Sequence, residues 1–200
     1  MKKINDSVEA SVPLGDLRPK LAIFHANAKG TGCAITLDLH PAHGQKDGCI
    51  MVSFANQKTV GRREEGVITY PTFDWENRIC VKLGFNDLCK MLQVFRGECE
   101  SIDGDTGLIH RSPQYQTRIS LRHQVEPVCG YSLDVFRSSR APNGENRRSH
   151  ILLTPSEALG LGLSFENSIG IICFGIPKVL PHDTAVYDAQ VRKMCHGSGE

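Results

Sequence analysis

The sequence predicts an α+β domain of two comparable units, each with about four antiparallel strands followed by one helix, in pseudo-twofold arrangement. Three observations carry this prediction. Strict alternation of apolar and polar residues recurs in both halves, the period-2 mark of half-buried strands. Each half then changes to helical spacing at its end. Finally, Ile79 to Leu88 matches Ser149 to Ala158 in pattern, though hardly in identity.

Taken in order, residues 1–19 are polar, with Pro13, Gly15 and Pro19, and read as a flexible arm. Ordered structure is expected from Leu21. Ala34 to His40 alternates, with Ile35, Leu37 and Leu39 on one face. Pro41 to Gly48 supplies a turn, and Cys49 to Ala55 reads as the antiparallel partner. A charged hairpin or loop follows between Asn56 and Tyr70. Ile79 to Leu83 is the next strand. A helix from Asp87 to Arg96, capped by Asn86 and ended by Gly97, aligns Phe85, Leu88, Cys89, Leu92 and Phe95.

An acidic connector with Glu98, Glu100, Asp103 and Asp105 leads to the second unit. Thr117 to His123 and Tyr131 to Arg137 alternate, separated by a Pro127/Gly130 turn. A polar basic loop, 138–149, precedes the apolar strand His150 to Leu153. Thr154-Pro155-Ser156-Glu157 is a capping box with proline at the first helical position. The helix it starts carries Ala158, Leu161 and Phe165 on one face and is weakened by Gly160 and Gly162. The expected layout is one domain over 20–177, with repeats of about 20–100 and 108–177, and a C-terminal tail over 178–200.

Two hundred residues, 40% hydrophobic and 22% charged, suit a globular domain with its own core. Lys and Arg total 23 against 22 Asp and Glu, so no overall charge draws the chain to nucleic acid. None of the eight cysteines forms a C-x-x-C pair, and the polar start Met1 to Asp6 lacks a secretory pattern. The thiols read as buried apolar residues in a reducing cytoplasm. Ala158 to Pro177 carries one charge, Glu166, and is long enough to span a bilayer. Its four glycines instead suggest a buried helix followed by an apolar strand or loop. No membrane partner is expected.

Local charge is uneven. Seven arginines between 111 and 148 face only Glu126, Asp134 and Glu145. Arg118, Ser120 and Arg122 lie opposite Ile119 and Leu121, hence on the solvent face, where side chains two apart can meet successive phosphates. A solvated sheet face explains the same pattern. Phe136 shares the polar parity of Ser132 and Asp134 and adjoins Arg137, which makes it a base-stacking candidate. Phe24, Phe73, Trp75, Tyr115 and Tyr131 suit core or packed-loop positions.

In the first half, Asn27, Lys29 and Gly30 sit in a glycine-containing segment where a backbone can approach a ligand, or simply turn. Lys58, Arg62, Arg63 and Lys82 add positive charge, the two arginines offset by Glu64 and Glu65. His40-Pro41-Ala42-His43 has metal-like spacing, but in a turn and with no acid or cysteine at helical spacing. No catalytic motif and no cofactor fingerprint is present, so neither an enzyme, a metal nor a cofactor is expected.

With this repeat plan, the chain resembles the Whirly and positive-cofactor-like superfamily of single-stranded nucleic-acid binders. Lys29-Gly30-Thr31-Gly32-Cys33-Ala34-Ile35 is similar to the family's Lys-Gly-Lys-Ala-Ala-Leu motif, but lacks the second lysine and carries two inserted residues. Only Lys29, Gly30, Ala34 and Ile35 correspond. The resemblance covers residues 20 to 177 and implies packed helices, exposed curved sheets and a sequence-tolerant single-stranded DNA site, with RNA as the alternative ligand. The competing reading is a protein-interaction or structural module of the same fold. Self-association is expected of either, helped by the loosely helical Asp183 to Met194.

Overall fold

The computed structural model describes residues 20–64, 66–142 and 144–176. The expected arm, the tail with its Asp183 to Met194 segment, and Glu65, Asn143 and Pro177 lie outside the described residues. Ten strands and two long helices follow one another as β1 (Leu21–His25), β2 (Cys33–His40), β3 (Cys49–Asn56), β4 (Arg62–Glu64), β5 (Val67–Thr69), β6 (Ile79–Leu83), α1 (Phe85–Phe95), β7 (Leu108–Arg111), β8 (Tyr115–Gln124), β9 (Gly130–Ser139), β10 (Arg147–Leu153) and α2 (Pro155–Phe174).

The repeat is complete. One sheet has the order β1-β2-β3-β6, the other β10-β9-β8-β7, and all pairings within them are antiparallel. Each sheet is thus a four-strand meander followed by a helix, and the first carries the β4–β5 ribbon as an insertion before its last strand. One core fills the space between the inner sheet faces and the helices. Ile35, Val52, Phe54, Val81 and Leu83 come from the first sheet and Ile119, Leu121, Leu133, Val135 and Ile151 from the second. Leu88, Met91, Leu161 and Phe165 close it from the helices, with Phe95 and Phe165 ring centroids 6.0 Å apart. Each such large apolar side chain, once buried, contributes on the order of 1.5–3 kcal/mol.

Alternation locates the inner strands correctly, while the edges need correction. β1 and β7 are edge strands too short to show a period, and only pairing with β2 and β8 defines them. β10 starts at Arg147, three residues earlier than the apolar pattern suggests, because Arg147 and Arg148 pair with Arg137 and Phe136 of β9.

Gly84, not Asn86, caps α1. The Asp87 carboxylate reaches back to accept the Gly84 N–H at 3.0 Å, so the third helical residue does the work expected of the cap. Gly97 does end that helix. Its φ of 73° lets its N–H meet the Val94 carbonyl at 3.0 Å while the Glu98 N–H meets Gln93 at 2.8 Å.

The Thr154 box caps α2 as the sequence indicates: the Thr154 hydroxyl accepts from the Glu157 N–H at 3.2 Å, and the Glu157 carboxylate accepts from the Thr154 N–H at 2.8 Å. The helix does not give way to a strand or loop, however. It runs unbroken to Phe174, where tertiary bonds set its end. Gly162 admits the side chain of Phe95, and the Ala42 and Gly48 N–H groups of the β2–β3 hairpin cap the Ile171 and Ile172 carbonyls at 3.2 and 2.9 Å. No helix among the described residues is long and apolar enough to cross a membrane.

The cysteines divide. Cys33 and Cys49 are buried, and burial pushes the Cys33 thiol up to about 12. Cys80 and Cys89 are half-buried, whereas Cys99, Cys129 and Cys173 are exposed, contrary to a uniformly buried set.

Candidate nucleic-acid interface

The outer face of the second sheet is built by register. Arg118 of β8 lies opposite Phe136 of β9, and Phe136 lies opposite Arg148 of β10. On the other side Arg118 faces Ile109 of β7. One row across the sheet therefore reads Ile109, Arg118, Phe136, Arg148, and Phe136 is 42% exposed between its two arginines. The next row is Ser120, Asp134, His150, and the third is Arg122, Ser132, Leu152.

Carboxylates thread this basic surface. Asp134 Oδ1 lies 2.8 Å from Arg148 Nη2, and its Oδ2 lies 3.2 Å from His150 Nδ1 and accepts from the Ser132 hydroxyl at 3.0 Å. Burial works against ionisation of Asp134, but the Arg148 hydrogen bond and the neighbouring His150 outweigh it and hold the carboxyl below its usual range. Asp105, on the 3-10 turn Ile102–Asp105, pairs its Oδ1 with Arg122 Nη2 at 2.7 Å, and its main-chain carbonyl accepts from Arg118. Its carboxyl is lowered by the Ser101 hydroxyl and then by Arg122.

The sequence-predicted residues thus separate into groups. Arg118, Arg122 and Phe136 share one open face. Arg137 does not: its parity is that of Leu133 and Val135, and it turns inward. There its Nε donates to Thr117 Oγ1 at 3.1 Å, while Nη2 donates to the Cys80 carbonyl on β6.

Arg62 and Arg63 sit on the β4–β5 ribbon, apart from both large sheets, and Arg62 lies 3.8 Å from Glu64. Lys58 is exposed just after β3, its N–H bonded to the Thr72 carbonyl at 2.7 Å. Lys82 is exposed on β6, opposite Met51.

Lys29 stands exposed in the β1–β2 loop beside Gly30. Asn27 is a loop former: its Oδ1 accepts the N–H groups of Lys29 at 3.0 Å and Thr31 at 3.1 Å. The loop is pinned by Gln57, whose four amide bonds are all used. Its Oε1 accepts from Asn27 and Gly32, and its Nε2 donates to the Asn27 and Thr59 carbonyls, at 2.9–3.1 Å. Only glycine fits at position 32, since a Cβ there would stand 2.2 Å from the His25 carbonyl oxygen.

Three features were not singled out from sequence. Arg148 and His150 alternate with buried Ser149 and Ile151, so their parity was available once β10 was extended to Arg147. The second is Gln57. The third is an aromatic group on the outer face of the first sheet. Phe24 is 56% exposed, with Phe73 at 5.6 Å and Trp75 at 6.4 Å between centroids. Phe24 alternates with Ile23, which pairs with the core residue Ile35, so it occupies the outer face rather than the core. A cleft lined by Asn56, Asp74, Asn77, Arg147 and Arg148 connects the two sheets, bridged by the Asn56 Nδ2 bond to the Arg148 carbonyl at 2.9 Å.

No family model and no curated protein sequence matches the chain. Solved structures do. WHY1 from Arabidopsis thaliana superposes with a TM-score of 0.57 at 14% identity, over 90% of this chain and 97% of that one. WHY3 from the same plant gives 0.58 at 13% identity, over 88% and 98%. The chain has a Whirly-like fold.

Proposed function

We propose that the chain is a non-enzymatic binder of single-stranded nucleic acid, DNA first and RNA as the alternative, with little sequence preference. The observation that carries the reading is Phe136, exposed between Arg118 and Arg148 on adjoining strands. A base stacks on the ring while phosphates on either side meet the guanidinium groups. Exposed Phe24, backed by half-buried Phe73 and Trp75, supplies a second stacking surface across the Asn56–Arg148 junction. The Whirly-like fold supports the same reading, through what that resemblance implies about single-stranded binding.

Oligo-dT, RNA and duplex of equal length, compared by electrophoretic shift over a salt series, test it. The expected outcome is preference for the single strands with affinity that falls steeply with salt. A flat salt response or equal preference for duplex overturns it.

A second copy of the chain is the proposed protein partner. Leu159 and Leu163, one turn apart on α2, are 65% and 52% exposed. Light scattering on the purified protein reads this directly, and a monomer at all concentrations refutes it.

A further inference from the structure

The basic row of the second sheet is partly neutralised by the chain itself. We infer that Asp105 and Asp134 are specificity-determining residues that disfavour duplex relative to single strands on the outer face that carries Arg118, Arg122, Phe136 and Arg148. This rests on the proposed single-stranded binding and concerns how that same site discriminates.

The two carboxylates reach the face from unrelated elements. Asp134 stands on β9 itself and holds Arg148 and His150. Asp105 comes from the connector: its carboxylate holds Arg122, while its main-chain carbonyl accepts from Arg118. The connector is built to present it: Asp103, Gly104 and Asp105 take φ values of 48°, 57° and 74°, a left-handed run that non-glycine residues rarely adopt. Lys90 of α1 anchors the turn through Asp103 at 2.6 Å. The Asp105–Arg122 pair is exposed at both ends and adds little to stability, so folding alone does not account for it.

Its consequence for binding is clear. Arginine–phosphate attraction does not distinguish strandedness, and a duplex presents the denser line of charge. The Asp105 carboxylate on Arg122 and the Asp134 carboxylate on Arg148 must be displaced before phosphate can bind there, which weakens that shared contribution for every nucleic acid. Stacking on Phe136 is untouched, and only unpaired bases can supply it. Weakening the shared attraction therefore costs duplex more, and single strands are selected by loss of the competitor.

The test compares Asp105→Asn, Asp134→Asn and the double variant with the wild type, on oligo-dT and duplex of equal length. Asparagine tolerates the left-handed backbone at 105 and keeps the shape at 134. Asp47→Asn with Glu98→Gln, both exposed and on none of β7 to β10, matches the change in net charge. Circular dichroism melts report whether each variant folds.

In the double variant, duplex affinity is expected to rise more than oligo-dT affinity. The preference should narrow by about threefold to tenfold, and the duplex salt slope should steepen by about one unit for each of Arg122 and Arg148. The charge-matched control should leave the preference unchanged. Wild-type single-strand binding with an unaltered preference in folded variants overturns this inference alone. Absence of binding by wild type and variants alike overturns the function proposed above, and this inference with it.

Discussion

Arg137 of β9 donates to the main-chain carbonyl of Cys80 on β6 and so fastens the second sheet to the first. The same guanidinium donates to Thr117 and lies 5.5 Å from the centroid of the Tyr115 ring. A charged group with these partners is a structural tie. Arg137→Ala should lower stability by about 2 kcal/mol, from lost charge-assisted bonds and an orphaned carbonyl. Urea unfolding measures the loss. Single-strand affinity under native conditions should change less than for Arg118→Ala.

Gln57 is the corresponding tie in the first half. Gln57→Ala removes four bonds at once and strands the Asn27 and Gly32 N–H groups. A loss of about 3 kcal/mol is expected. Hydrogen exchange should show the amides of the β1–β2 loop losing protection first, which a general destabilisation would not produce.

These two residues show what the sequence could and could not disclose. Alternation placed Arg118, Arg122 and Phe136 on an open face because β8 and β9 are long and central, and one buried face imposes period 2. The same parity puts Arg137 with Leu133 and Val135, so its inward direction was legible, but its partner Cys80 is 57 positions away. The Thr154 box predicts the start of α2 from local chemistry. Its end was not legible, since the β2–β3 hairpin supplies the bonds that cap it. Phe24 was hidden for a related reason: only the pairing of its neighbour Ile23 with the core residue Ile35 shows which way a five-residue edge strand faces. Asp105 carries no sequence signal for its arginine contacts, which arise from the left-handed turn.

Acid should weaken the fold. Burial opposes ionisation of Asp87, but the His110 and Gly84 hydrogen bonds outweigh it, and the net effect lowers its carboxyl. Burial likewise opposes Glu157, where Thr154 and His25 prevail, the His25 ring nitrogen lying 2.8 Å from Oε1. Together with Asp134, these groups titrate lower in the folded chain than their ordinary values of about 4 in the unfolded one. The unfolded chain therefore binds more protons as pH drops. The stabilisation they give is present above that ordinary range and is lost as pH falls through their lowered folded values. Unfolding measured from pH 7 downward should show this decline, and Asp87→Asn should make it shallower.

Binding should depend on the second sheet more than on the ribbon. Arg118 and Arg122 lie on one strand of an open face, whereas Arg62 and Arg63 extend from the separate β4–β5 ribbon, Arg62 beside Glu64. Removal of Arg118 and Arg122 together should cost more affinity than removal of Arg62 and Arg63, and Arg148→Ala should add to the loss. Each lost phosphate contact should lower the magnitude of the salt slope by about one unit. Phe136→Ala should behave differently, costing about 1–3 kcal/mol through lost stacking with little change in slope. That contrast separates charge from stacking within one cross-strand row. If the arginine variants bind like wild type while Lys29→Ala fails, the ligand sits on the β1–β2 loop. The Gln57 pin would then govern affinity, and Gln57→Ala should reproduce the Lys29 defect.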